Sequence, residues 1–123
     1  MNDAEWAGFE GSDCEAVLDL GKERTVTSVT VGCLQAQGSW IFLPRAVEVV
    51  TSLNGTEYTL AASITIGEPT DDQRVMTKDL TVTVPSTRAR FVQVRAANVA
   101  VCPAWHKGAG GKAWVFVDEI TVK

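Results

Sequence analysis

The sequence predicts an all-β chain folded as an antiparallel, two-sheet β-sandwich, and three observations carry that prediction. Apolar residues recur at spacing two in short runs, such as Val29, Val31 and Cys33, or Val47, Val49, Thr51 and Leu53. Turn formers, among them Gly21, Asn54-Gly55 and Pro85, punctuate those runs. The 3.6-residue apolar period of a helix is almost absent.

Taken in order, residues 16–20 form the first predicted strand, which ends at Gly21, and residues 26–34 form the second. The segment 35–44 around Trp40 breaks the alternation and reads as a loop. In 46–53, Val47, Val49, Thr51 and Leu53 alternate with Ala46, Glu48, Val50 and Ser52, and Asn54-Gly55 predicts a tight hairpin turn into a strand at 58–66. Residues 67–78, with Pro69, Asp71, Asp72 and Gln73, read as a solvated loop. Strands at 79–84, 89–97 and 113–122 follow, with a second aromatic loop, 98–112, before the last. Such short strands, bounded by Gly and Pro, suit two sheets packed on their inner faces. Trp114 is expected in the core and Trp6 against Gly8 and Gly11, while Asp118 and Glu119, as strand neighbours, should point to opposite faces and so cannot pair as catalytic acids.

A chain of 123 residues is sized for one domain, spanning 1–123. With 46% apolar and 21% charged residues it falls outside the range of disordered chains. Its net charge of −4 and scattered Lys and Arg leave no basic stripe for nucleic acid. No apolar run approaches the roughly 18 residues of a membrane span, and the acidic first residues are unlike a secretory signal, so a soluble monomer is expected. Met1 runs almost directly into Trp6-Ala7-Gly8-Phe9, as expected of a domain cut from a longer protein. Cys14, Cys33 and Cys102 are odd in number and lack close pairing, which argues against a disulfide framework. Cys33 should be a buried free thiol, with Cys33 to Cys102 the one bridge worth testing.

Several spaced motifs resemble one family. Ala16-Val17-Leu18-Asp19-Leu20-Gly21 with Val29-Thr30-Val31-Gly32, the stretch PRAVEVVTSLNGTEY at 44–58, Ala89-Arg90-Phe91-Val92-Gln93-Val94, and Glu119-Ile120-Thr121-Val122 are, in order, similar to the strands of coagulation factor five/eight type C, or discoidin, domains. That family includes many bacterial carbohydrate-binding modules. Trp6-Ala7-Gly8-Phe9-Glu10-Gly11, Gly38-Ser39-Trp40-Ile41-Phe42-Leu43-Pro44 and Cys102-Pro103-Ala104-Trp105-His106 with Gly108, Gly110 and Gly111 further resemble modules at the C-terminal end of bacterial β-hexosaminidases and related glycoside hydrolases. The resemblance implies a jelly-roll, galactose-binding-domain-like sandwich. It also implies a non-catalytic accessory module with a glycan ligand and a parent catalytic domain, in a secreted, periplasmic or cell-surface protein. Adhesion or protein docking, and a structural cap on the parent enzyme, are the alternatives the fold leaves open.

A sugar ring offers an apolar C–H face and a rim of hydroxyls, so its binder needs a flat exposed aromatic and a few fixed polar groups. Trp40 or Trp105 could supply the platform, and Gln35, Arg45, Asn98, His106, Lys107 or Lys112 the hydrogen bonds. Trp40 could equally plug the open end of the sandwich, since Ile41, Phe42 and Leu43 follow it. His106 is the one histidine and has no nucleophile elbow beside it, and its pairing with Cys102 lacks the further ligands of a closed metal site. Through the resemblance, Glu119 matches a position that gives an oxygen to a structural calcium ion, although the family's opening strand and its loop are missing from this sequence.

Overall fold

A computed structural model describes residues 7–123. In chain order the elements are β1 (Ala7–Glu10), β2 (Cys14–Gln35), a 3-10 turn (Gln37–Ser39), β3 (Ala46–Ser52), β4 (Thr59–Thr65), β5 (Met76–Ala96) and β6 (Trp114–Val122). The hydrogen-bonded order is β1-β6-β2-β5-β3-β4, and every ladder is antiparallel.

β2 and β5 pair along nearly their whole lengths, and the two layers arise because both pass through each layer. The early half of β2 (Cys14 to Asp19) lies on the late half of β5 (Phe91 to Ala96), which continues through β3 to β4. The late half of β2 lies between the early half of β5 and β6, with β1 beyond. Register shifts mark the bend: one between Asp19 and Arg24, opposite the stretch from Ala89 to Phe91, and one between Val26 and Ser28, opposite the Pro85 region of β5. Bulges of this kind sharpen local twist and let one strand turn a corner between sheets. The four strands predicted at 16–20, 26–34, 79–84 and 89–97 are therefore two long bent ones: Gly21 and Pro85 bend the ladder without ending it.

Inner faces from both layers meet in one core. Val26, Val29, Val31, Val47, Val49, Val82, Val92, Val94, Val115 and Cys33 are all buried in it, joined by Leu18, Leu80 and Val117. Burying each valine contributes about 1.5 kcal/mol or more, and the branched side chain suits a pleated surface. All three cysteines are buried and free, so no Cys33 to Cys102 bridge forms.

Two further expectations are corrected. Asn54-Gly55 does not make a two-residue hairpin: Thr51 pairs with Thr59, which leaves a longer loop between β3 and β4. Asn54 Oδ1 accepts the backbone N–H groups of Thr56 and Glu57, and Ser52 Oγ accepts those of Asn54 and Gly55, so side chains supply the bonds a tight turn would make for itself. Trp114 lies outside the core, half-buried against Phe116 on the face opposite Val115 and Val117, with ring centroids 5.6 Å apart. Phe116 covers Gly8, where a Cβ would lie 2.6 Å from its ring. Trp6, expected against Gly8 and Gly11, lies outside the described residues.

Candidate functional site

Three loops leave the same end of the sandwich. Register fixes this: Gln35 at the end of β2 faces Met76 at the start of β5, Ala46 faces Thr65, and Val47 faces Ala96. The connections 36–45, 66–75 and 97–113 thus start side by side.

Gln37, only 2% exposed, ties them together. Its backbone oxygen accepts the Trp40 N–H at 2.9 Å and lies 2.7 Å from His106 Nε2. Its side chain donates to the Thr70 carbonyl at 2.9 Å and accepts the Asp72 N–H at 3.0 Å. Gln35, also buried, donates to the Arg74 carbonyl at 3.1 Å. The segment expected to be a solvated loop is therefore held against the site by two buried amides. Arg74 bonds both oxygens of Asp72 and holds that carboxyl well below the usual carboxylate range.

His106 is 6% exposed. A carbonyl can only accept, so Nε2 carries the proton and donates to Gln37, and Nδ1 accepts the Gly108 N–H at 2.9 Å. Trp40, Trp105 and Phe42 each meet the imidazole edge-on, with centroids 6.2, 6.0 and 5.2 Å away. Phe42 also lies edge-on to Trp105 at 6.3 Å. Both indoles remain accessible, Trp40 at 37% and Trp105 at 43%. The two aromatic loops thus meet through this histidine.

Trp40 adopts a left-handed backbone, φ 66°, a conformation uncommon for a bulky residue. Its N–H closes the 3-10 turn, while its carbonyl accepts the Trp114 N–H at 2.9 Å, so the backbone is held from both sides. That conformation lays the indole on a shelf of backbone: a Cβ at Gly108 would fall 2.6 Å from the ring, and one at Gly111 2.8 Å. The glycine-rich stretch serves as a seat for Trp40.

Beside this cluster opens a cleft of about 220 Å³, lined by Gly38, Asp71, Gln73, Trp105, His106 and Lys107. Of the side chains singled out from sequence, the structure brings Trp105, His106 and Lys107 into the cleft and Trp40 beside it. Gln35 and Asn98 face inward. Asn98 Nδ2 donates to the carbonyls of Phe9, Ser12 and Ala113, and its Oδ1 accepts the Ala100 N–H at 2.7 Å, a clamp on the loop base. Arg45 is paired with Glu68 at 3.5 Å and does not line the cleft. Lys112 lies along Gly11, away from the cleft. Sequence reasoning missed Asp71, Gln73 and Gln37. A polar run between strands reads as solvent-facing, and nothing local shows that a tertiary contact captures it.

Strand alternation also fails at Glu119. Val31 pairs with Ile120 and Cys33 with Val117, so Gly32 stands opposite both Asp118 and Glu119 in a bulge. Both acids line one hollow with Thr30, Gly32, Asp79 and Thr121, which corrects the expectation that they face apart. Asp118 Oδ1 is buried there without a hydrogen-bond partner, and it lies so near Gly32 that a Cβ at that position would overlap it. Among the described residues no group of three His, Cys, Asp or Glu side chains could hold a metal ion. The calcium ion implied by the resemblance stays a proposal resting on Glu119. No helix among the described residues is long and apolar enough to cross a membrane.

No protein-family model matches the chain, and no curated protein sequence does. Among solved structures it is similar to CpGH89CBM32-5 from Clostridium perfringens, determined in complex with GalNAc-β-1,3-galactose, at 21% identity over 88% of this chain and 63% of that one, with a TM-score of 0.55. It is also similar to CBM32-3 from a family 31 glycoside hydrolase of the same organism, at 12% identity over 95% and 77%, with a TM-score of 0.57. A third is the C-terminal domain of a chitobiase from Bacteroides fragilis, at 15% identity over 90% and 65%, with a TM-score of 0.50. The chain spans just under two thirds of the first and third of these. At these identities the likeness is one of fold, and the chain shares the β-sandwich fold of these CBM32 modules.

Proposed function

We propose that this chain is a non-catalytic carbohydrate-binding module that holds an attached glycoside hydrolase, of the β-hexosaminidase kind, close to its glycan in a secreted, periplasmic or cell-surface protein. The observation that carries this reading is the cleft in which an accessible indole, Trp105, stands beside the polar side chains of Asp71, Gln73 and Lys107 at one end of the sandwich. A flat apolar surface beside fixed polar groups is what a sugar's C–H face and hydroxyls require. The similar fold of a module determined with GalNAc-β-1,3-galactose supports it. Tethering of this sort raises the local substrate concentration without chemistry of its own.

The residues of the cleft bind and orient; none of them forms a nucleophile and base pair. His106 has both ring nitrogens engaged within the protein and holds the Trp105 and Trp40 loops together. So small and open a site should bind with a dissociation constant on the order of micromolar to millimolar.

A glycan array on the full chain tests the reading, with Trp105→Ala as control. Binding that disappears in a variant with an unchanged far-ultraviolet spectrum is the expected result. An array without a single glycan hit would favour an adhesion module or structural cap.

A further inference from the structure

The segment around Asp71 is built as a wall of the cleft. Gln37 and Gln35 fix its backbone at Thr70, Asp72 and Arg74. Asp72 is committed to Arg74, whereas Asp71 and Gln73 line the cleft opposite Trp105 and Lys107. Gln73 Nε2 donates to Asp71 Oδ1 at 2.6 Å. With one of its N–H groups engaged there, Gln73 keeps a second N–H and its Oε1 for a ligand, and Asp71 offers Oδ2, which can only accept.

Resting on the glycan-binding reading above, we propose that this wall sets the specificity of the site: Asp71 and Gln73 read hydroxyl or amide N–H donors on an uncharged sugar, select it over a carboxylated one, and depend on Gln37 for their position. The selection follows from fixed against mobile charge. Asp71 stands on a backbone pinned through Gln37 and is bonded to Gln73, so its charge keeps its place. Lys107 carries its ammonium on a flexible, exposed stem, and surrenders rotamer freedom to meet a sugar carboxylate. A carboxylate entering the cleft would therefore meet the fixed charge of Asp71 and have no proton to offer it. A sugar hydroxyl donates to Asp71, and a second hydroxyl or an amide N–H donates to Gln73 Oε1.

Isothermal titration of the full chain with galactose, N-acetylgalactosamine, N-acetylglucosamine and galacturonic acid tests this. Asp71→Ala and Gln73→Ala should each weaken the neutral sugar that wild type binds best by about five-fold, the size of one hydrogen bond. Asp71→Asn should raise the affinity for galacturonic acid relative to galactose. Gln37→Met, with its bulk kept and both amide bonds lost, should weaken neutral sugars and speed amide exchange across residues 68–74, while Asp71→Ala leaves that exchange unchanged. If Asp71→Ala and Gln73→Ala bind as wild type while Trp105→Ala does not, the wall is no part of the site and the glycan reading stands. If wild type prefers galacturonic acid, the selection is overturned. If wild type binds none of these sugars and nothing on the array, both readings fall together.

Discussion

Replacing Gly108 by Ala tests how Trp40 is held. Gly108 does not have a positive φ, so the backbone itself tolerates a side chain, and any penalty comes from contact. The added Cβ would stand 2.6 Å from Trp40 Cε2 and 2.7 Å from Cζ2, where carbon atoms rest at about 3.5–4.0 Å, so the ring must withdraw by about 1 Å. Overpacking a filled site costs about 1–3 kcal/mol. Because the indole is 37% exposed it can swing outward, which places the cost near about 1 kcal/mol, or roughly 3–5 °C in Tm for a domain of this size. Thermal denaturation of wild type, Gly108→Ala, Trp40→Ala and the double variant isolates the pair. The Gly108→Ala penalty should vanish once Trp40 is Ala. An equal penalty in both backgrounds would refute the seat.

The thiols and the calcium proposal give two further predictions. Burial pushes the Cys33 thiol up to about 12 and that of Cys14 up to about 11, and raises that of Cys102, so a thiol reagent at neutral pH should label the native chain slowly and the urea-unfolded chain at all three positions. The sign follows from linkage: raised thiol values favour the protonated fold, so this stability is intact below the ordinary thiol range and declines as pH rises through the shifted values. Rapid native labelling of Cys33 would contradict its burial. Calcium added at millimolar concentration to chelator-stripped protein should raise Tm by mass action if Glu119 helps to hold an ion, and Glu119→Gln should abolish the rise; an unchanged Tm in wild type removes calcium from the account.

The fold was largely legible because its signal is local. The alternation of Val29, Val31 and Cys33, or of Val47 and Val49, directly reports which side chains face the core, and the buried set follows it. What local pattern cannot report is whether a ladder continues past a turn former. Gly21 and Pro85 end strands in most contexts, yet here they fall where two long paired strands bend together, and only the partner strand decides that. Glu119 shows the same limit on a smaller scale: one extra residue opposite Gly32 changes the face of an acid that strict alternation places elsewhere.

The site was legible in its aromatics and illegible in its polar groups, for a physical reason. A tryptophan in a loop stands out because its exposure has a solvation cost, and of the two singled out Trp105 lines the cleft while Trp40 stands beside it. A glutamine, asparagine or histidine in a loop serves equally well for binding a ligand or for satisfying backbone, and burial decides between the two. Gln35 and Asn98 were candidates for ligand contacts, yet each bonds loop backbone, and His106, for which either role was open, does the same. Asp71 and Gln73, read as solvated, are exposed and also line the cleft. The exchange of roles has one source. Three loops without regular ladders must satisfy their backbone groups some other way, and buried amides at Gln35, Gln37 and Asn98 supply those bonds. Side chains held out on that frame are the ones left to meet a ligand. The order of inference for such a site thus runs from the buried amides outward: they fix which loop residues are pinned, and the pinned backbone fixes which polar groups reach the cleft.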